Sequence, residues 1–245
     1  NFISDASAGV EVKGDGGSND GYIQLNCSQN SHGVKIKSPP HSAGQSYTLT
    51  LPQSITNDYF LKTDGSGNLS FAQVSSDVVK ILDTNAGGSS SIQALDSIFS
   101  ATYKYYMILA NVGLASTGGM EWRLQDSSNA EISSEYYFSG RQMSRNSSGN
   151  SGSDMGAWNS STFSQQENIS GSSGYFGSYR IFVFDPFTST TRTNIQFQVT
   201  TFDDSVQRQI LFSGFQSAAA THAGIRFISS QNITSASNFK VYGYK

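Results

Sequence analysis

The chain has 245 residues, long enough for one large β-domain or two smaller units. Charged residues make up only 13% of it and the net charge is −3, with Lys and Arg dispersed, which disfavours nucleic-acid backbone binding. Cys27 is the single cysteine, excluding an intrachain disulfide and a cysteine-built zinc site, and no apolar run reaches membrane-span length.

Up to about Val74 the sequence is a series of short strand-like runs separated by turn chemistry. Val10–Lys13, Tyr22–Cys27, Val34–Lys37, Tyr47–Leu51, Tyr59–Lys62 and Leu69–Phe71 are the predicted strands. Between them lie Gly14-Asp15-Gly16-Gly17, Asn30-Ser31-His32-Gly33, Pro39-Pro40 and Asp64-Gly65-Ser66-Gly67-Asn68. Ile23, Leu25 and Cys27 share one face, with Gln24 and Asn26 opposite. Strands this short supply too little apolar area to close a core within one chain. The economical solution is for copies around a symmetry axis to cover one another, so residues 1–74 are expected to form a homotrimeric β-stem.

From Ser75 onward the strands lengthen and become aromatic. Val78–Leu82, Ile92–Phe99 and Tyr103–Val112 come first, the last apolar on both faces and so a central strand. Met120, Trp122 and Leu124 alternate with Glu121, Arg123 and Gln125. Ile181–Phe184 ends at Asp185-Pro186, and Ile195, Phe197 and Val199 alternate until the phase slips before Phe202, which predicts a bulge or strand end. Ile210–Phe212, Ile225–Ile228 and Phe239–Tyr244 complete the set. Eight to ten strands without an amphipathic helix predict an all-β fold, with an antiparallel, jelly-roll-like β-sandwich over residues 75–245. Arg141–Gly177, rich in Ser, Gly and Asn, reads as a long loop in which Ala157–Gln166 is a further possible strand.

The wording of Tyr47–Ala72, YTLTLPQSITNDYFLKTDGSGNLSFA, resembles a segment of virion fibre proteins from tailed bacteriophages of the marine and cyanobacterial type. The closing run Phe239-Lys240-Val241-Tyr242-Gly243-Tyr244-Lys245 and the opening Asn1-Phe2-Ile3-Ser4-Asp5 are similar to that family as well. The resemblance implies further stem sequence ahead of Asn1 and a trimeric tail fibre or receptor-binding protein on the virion. It also implies attachment to other virion proteins through the N-terminal side. A capsid decoration or head-fibre protein is the alternative, and a polysaccharide-degrading enzyme a lesser one.

Candidate chemistry is sparse. No HExxH, GxSxG, P-loop or dinucleotide fingerprint occurs, and His32, His41 and His222 have no acidic or nucleophilic partner at a recognisable spacing. Glu121, Asp126, Glu131, Glu135, Asp154 and Glu167 offer carboxylates for hydrolysis, but a chain with this many acids always offers pairs, and structural roles are the expectation. Asp64-Gly65-Ser66-Gly67-Asn68 lacks the acidic alternation of a calcium loop and reads as a turn, and Asp203-Asp204 as a solvated turn. Asn26, Asn68, Asn146, Asn159, Asn168 and Asn232 match the glycan-acceptor pattern, as chance allows in so Ser- and Thr-rich a chain. The chain is therefore expected to be non-enzymatic, with no cofactor, metal or membrane insertion. Its remaining signal is aromatic and polar: Trp158, Tyr175, Tyr136 and Tyr137, with Arg141 and Arg145, are the candidate contacts for host-surface carbohydrate. Trp122 and Phe197 are assigned to the core.

Overall fold

The computed structural model describes residues 11–73, 76–171, 174–203 and 205–245, without the side chains of Gln166, Glu167 and Asp203. The Asn1–Asp5 phrase, Val10, the expected boundary at Val74 and Ser75, and Asp204 lie outside the described residues. The chain divides into two compact units, Asn1–Ser75 and Ser76–Lys245. Sixteen strands and one 3-10 turn, His41–Ala43, are formed among the described residues.

In the first unit, β1 (Tyr22–Asn26) and β2 (Gly33–Lys37) make an antiparallel hairpin. Ile23 faces Ile36 and Leu25 faces Val34, so all four aliphatics share one face. Lys35 lies 4.5 Å from the ring centre of Tyr22, and Lys37 pairs with Asp20 at 2.9 Å. No residue of either strand is buried, and Leu25 and Val34 are 61% and 69% exposed. A second hairpin joins β3 (Phe60–Thr63) to β4 (Leu69–Ala72) through the Asp64–Asn68 turn. Asp64 organises that turn: one carboxyl oxygen accepts the backbone N–H groups of Ser66 and Asn68, at 2.8 and 3.2 Å, and the other accepts the Asn68 amide at 2.7 Å. Asp15 does the same for Gly17 and Asn19, so the same turn occurs twice in this unit.

Two expected strands are absent here. Residues 11–13 form no strand. Tyr47–Leu51 is reduced to a single parallel bridge between Thr50 and Asn68, closed by Thr50 N–H to the Gly67 carbonyl at 2.9 Å and Leu69 N–H to the Thr50 carbonyl at 2.8 Å. Its partner is the turn between β3 and β4, and a turn offers too few aligned backbone groups to extend a ladder. The approach is close enough that a Cβ on Gly67, whose φ is +96°, would overlap the Thr48 carbonyl oxygen.

The second unit holds twelve strands: β5 (Val78–Asn85), β6 (Ser90–Leu95), β7 (Tyr105–Val112), β8 (Gly118–Gln125), β9 (Tyr136–Asn146), β10 (Gly149–Ser160), β11 (Phe163–Ile169), β12 (Gly177–Phe184), β13 (Thr193–Asp203), β14 (Val206–Gln216), β15 (Gly224–Ile233) and β16 (Asn238–Tyr244). They form an eight-stranded sheet in the order β10-β9-β14-β13-β12-β7-β16-β5 and a four-stranded sheet in the order β11-β8-β15-β6, antiparallel throughout. The pairs β5–β16, β6–β15, β7–β12 and β8–β11 are nested as in a jelly roll. Two hairpins, β9–β10 and β13–β14, are spliced into that frame and widen the larger sheet. The expected all-β class with an antiparallel sandwich is what forms. As expected, β7 is flanked on both sides, by β12 and β16.

Alternation aims one face of each strand at the core. Trp122 lies at its centre, fully buried, within 5.0–6.2 Å of the ring centres of Phe197, Tyr179, Phe212 and Phe227. The predicted break before Phe202 does not occur, because β13 and β14 stay in register from Thr193–Gln216 to Asp203–Val206. Thr201 takes the inward place, with its neighbour Phe202 turned outward. The predicted long loop is also mostly strand: Arg141–Asn146 ends β9, and β10 and β11 follow with a break at residues 161–162. β10 lies at the edge of the larger sheet.

Candidate functional site

The outer face of the eight-stranded sheet carries an aromatic row that runs across the strands. Register places Tyr137, Phe215, Asn194, Phe184, Tyr105 and Tyr244 side by side on β9, β14, β13, β12, β7 and β16. Each sits on the outward phase of a strand whose alternate residues fill the core, so the row is a consequence of strand order.

Trp158 joins this row through a bulge. Ala157 pairs with Phe138 and Ser160 with Tyr136, so Trp158 and Asn159 together oppose the single residue Tyr137. Asn159 takes φ +56°, a conformation Asn tolerates. The extra residue leaves Trp158 86% exposed, its ring at right angles to Tyr137 with centres 4.9 Å apart. Tyr137 and Phe215 are stacked on each other at 5.1 Å, and the Arg192 guanidinium lies 5.2 Å from the Phe215 ring centre. Those two rings have already committed faces to each other. Trp158 is the ring with area left to offer.

Beside the row lies an open groove of about 690 Å³, within the range of ligand sites. Ser139, Ser213 and Gln196 line it two residues along their strands from Tyr137, Phe215 and Asn194. Tyr105 and Phe184 close the far end, edge to face at 5.9 Å, and Asp185 adds a carboxyl. Asp185 is fixed by its backbone, whose N–H donates to the Lys104 carbonyl at 2.7 Å.

The six sequence-derived candidates do not form one site. Trp158 and Tyr137 meet in the groove. Tyr136 is fully buried: its hydroxyl accepts the Leu124 N–H at 2.8 Å and donates to the Ile132 carbonyl at 2.9 Å, and burial pushes its phenol pKa up. It is a core residue, because adjacent side chains on a strand face opposite ways. Arg141 and Arg145 share the outward face with Tyr137, but about 14 and 27 Å further along at ~3.4 Å per residue. Arg141 sits 3.5 Å from Asp154, and Arg145 donates to Asn150 at 3.0 Å. Tyr175 stacks on Phe202 at 5.1 Å, at the end of β13 remote from Asn194.

Phe215, Phe184, Tyr105, Asn194 and Gln196 were not singled out from sequence. One signal was present, in that Ile181–Phe184 is apolar on both phases and so turns Phe182 and Phe184 toward the outer face. Several acids have structural partners. Glu131 binds Arg123 at 2.7 Å and Arg226 at 2.8 Å, which holds its carboxyl below the usual range. Asp126 accepts the N–H groups of Ser128 and Ala130, and Glu135 accepts the Ser217 hydroxyl at 2.6 Å. The Glu167 side chain lies outside the described residues. Among the described residues no cluster of three or more His, Cys, Asp or Glu side chains is arranged for a metal ion. No protein-family model, curated protein or solved structure matches the chain.

Proposed function

We propose that the chain is a structural protein of a tailed-phage particle: a homotrimeric tail fibre or receptor-binding protein whose sandwich unit contacts host-surface glycan. The observation that carries the binding role is Trp158, turned out by a bulge beside a groove lined with hydroxyls and amides. A sugar presents an apolar face to an aromatic ring and hydroxyls to polar neighbours, and this groove supplies both. The phage assignment rests on the wording of Tyr47–Ala72.

Trimerisation is supported by the bare aliphatic face of β1–β2. A lone two-stranded hairpin is marginal in water, and Ile23, Leu25, Val34 and Ile36, exposed among the described residues, would be covered by a second and third copy laid against them. Three weak sites on one assembly then bind a glycan-coated surface far more tightly than one. The role is binding and not hydrolysis: the groove lining has a single carboxyl, Asp185, whereas glycoside hydrolysis ordinarily uses two.

Gold-labelled antibody on intact particles is expected to mark the tail; a label on the capsid overturns that placement. Trp158→Ala is expected to lower adsorption with assembly intact, and undiminished adsorption would remove the glycan role. Sedimentation should give a mass three times that of the chain, and a folded monomer would refute the trimer.

A further inference from the structure

We propose that the groove takes an uncharged oligosaccharide laid across the strands, and that Asp185 is the group that turns acidic glycans away. The inference rests on the glycan-binding reading and narrows it to a ligand class.

The lining sets the chemistry. Ser139, Ser213, Asn194 and Gln196 each donate and accept hydrogen bonds, as sugar hydroxyls do. A carboxylate such as that of Asp185 only accepts. Sugar hydroxyls donate to it without conflict, whereas a uronate or sialate carboxylate beside it meets like charge. Asp185 is the one charged residue among those that line the groove, which include no Lys or Arg.

The other cations on this face belong elsewhere. Arg141, Arg180 and Lys240 share a cross-strand row four residues along from Tyr137, about 14 Å away and beyond the ~8 Å screening length at physiological salt. Arg180 and Lys240 line a separate hollow of about 410 Å³ with Asn111 and Asn238.

Direction follows from the sheet. From Trp158 on β10 to Tyr105 on β7 there are six adjacent strands, so the aromatic stations span about 24 Å at ~4.8 Å per strand. That length suits a chain of sugars and exceeds a single ring.

The test titrates the full chain with neutral glucan, mannan and galactan oligosaccharides and with anionic oligogalacturonate and oligosialic acid. Neutral probes are expected to bind, more tightly as they lengthen. Trp158→Ala should weaken that binding about tenfold, while Arg180→Ala and Lys240→Ala leave it unchanged. Asp185→Asn, whose side chain also tolerates the φ of +49° found at Asp185, is expected to admit the anionic probes. Anionic probes binding the unaltered chain as tightly as neutral ones, with loss on Trp158→Ala, would overturn the ligand class and leave the glycan reading standing. No binding by either class would overturn both.

Discussion

The β1–β2 and β13–β14 hairpins are built on the same local rule and end in opposite situations. In both, aliphatic or aromatic residues alternate with polar ones, and register brings the apolar residues of two strands onto one face. In β13–β14 that face is covered: Ile195, Phe197, Val199, Ile210 and Phe212 are buried, with Trp122 and Phe163 packed on Phe197. In β1–β2 the corresponding face, Ile23, Leu25, Val34 and Ile36, is left exposed among the described residues. Alternation specifies which face must be hidden; it does not supply what hides it. The sandwich finds its cover in its own second sheet, and the proposed trimer would supply it for the N-terminal hairpin from other copies.

The largest expected effect attacks the covered side of this comparison. Trp122→Ala removes the ring around which four aromatic neighbours gather, and such deletions cost about 3–5 kcal/mol. Urea unfolding followed by circular dichroism should show that loss in the sandwich transition. A cost below about 1 kcal/mol would mean that the sandwich core collapses freely around the gap, and the contrast between the hairpins would lose its basis.

Leu25→Asp attacks the bare side. A carboxylate pressed into an apolar contact between copies is strongly disfavoured, so the mass in solution is expected to fall to one third. The sandwich transition should move by less than about 0.5 kcal/mol, as for an exposed position. An unchanged mass would show that this face is not what joins the copies.

Burial also separates the units in their response to acid. His222 is fully buried, with Nδ1 2.7 Å from the Thr193 hydroxyl, and burial pulls its pKa down to about 4, the Pro186 carbonyl opposing that shift. In the unfolded chain the same imidazole takes a proton near pH 6.5. Stability from this group is therefore complete above about 6.5 and is lost as pH falls toward 4, by about 3 kcal/mol in total. Glu131, held low by Arg123 and then Arg226, contributes its own loss only below its usual carboxylate range. Melting of the sandwich between pH 7 and 4.5 should thus decline with His222 intact and flatten in His222→Gln, whatever the new baseline.

How much of this was legible depended on whether a feature is local. Inward phases of single strands were readable: Met120, Trp122 and Leu124 are buried as their alternation demands. The phase at Phe202 was misjudged because a Thr, Thr201, holds a place where an apolar residue was expected. The Ser- and Gly-rich part of β10 ahead of Ala157 reads as loop because its strand character comes from pairing with β9, not from its own side chains. The groove was the least legible part. Tyr137, Phe215, Phe184 and Tyr105 are far apart in sequence and are brought together by strand order, which the two spliced hairpins alter and which no single segment encodes.

The smallest expected change in stability is also the sharpest form of the comparison, because it uses the same residue type. Trp122 and Trp158 both occur in strands and both touch aromatic neighbours, yet the first is fully buried and the second is 86% exposed. Removing Trp158 takes away one edge contact with Tyr137, while the Tyr137–Phe215 stack and the Ala157–Phe138 pairing remain. Trp158→Ala should therefore change the sandwich transition by no more than about 0.5 kcal/mol, against 3–5 for Trp122→Ala. A residue that large, held outward by a bulge at little benefit to folding, is what the proposed binding role calls for. If Trp158→Ala instead destabilised the sandwich by 2 kcal/mol or more, the bulge would be a packing device, and the exposed ring would no longer mark a binding surface.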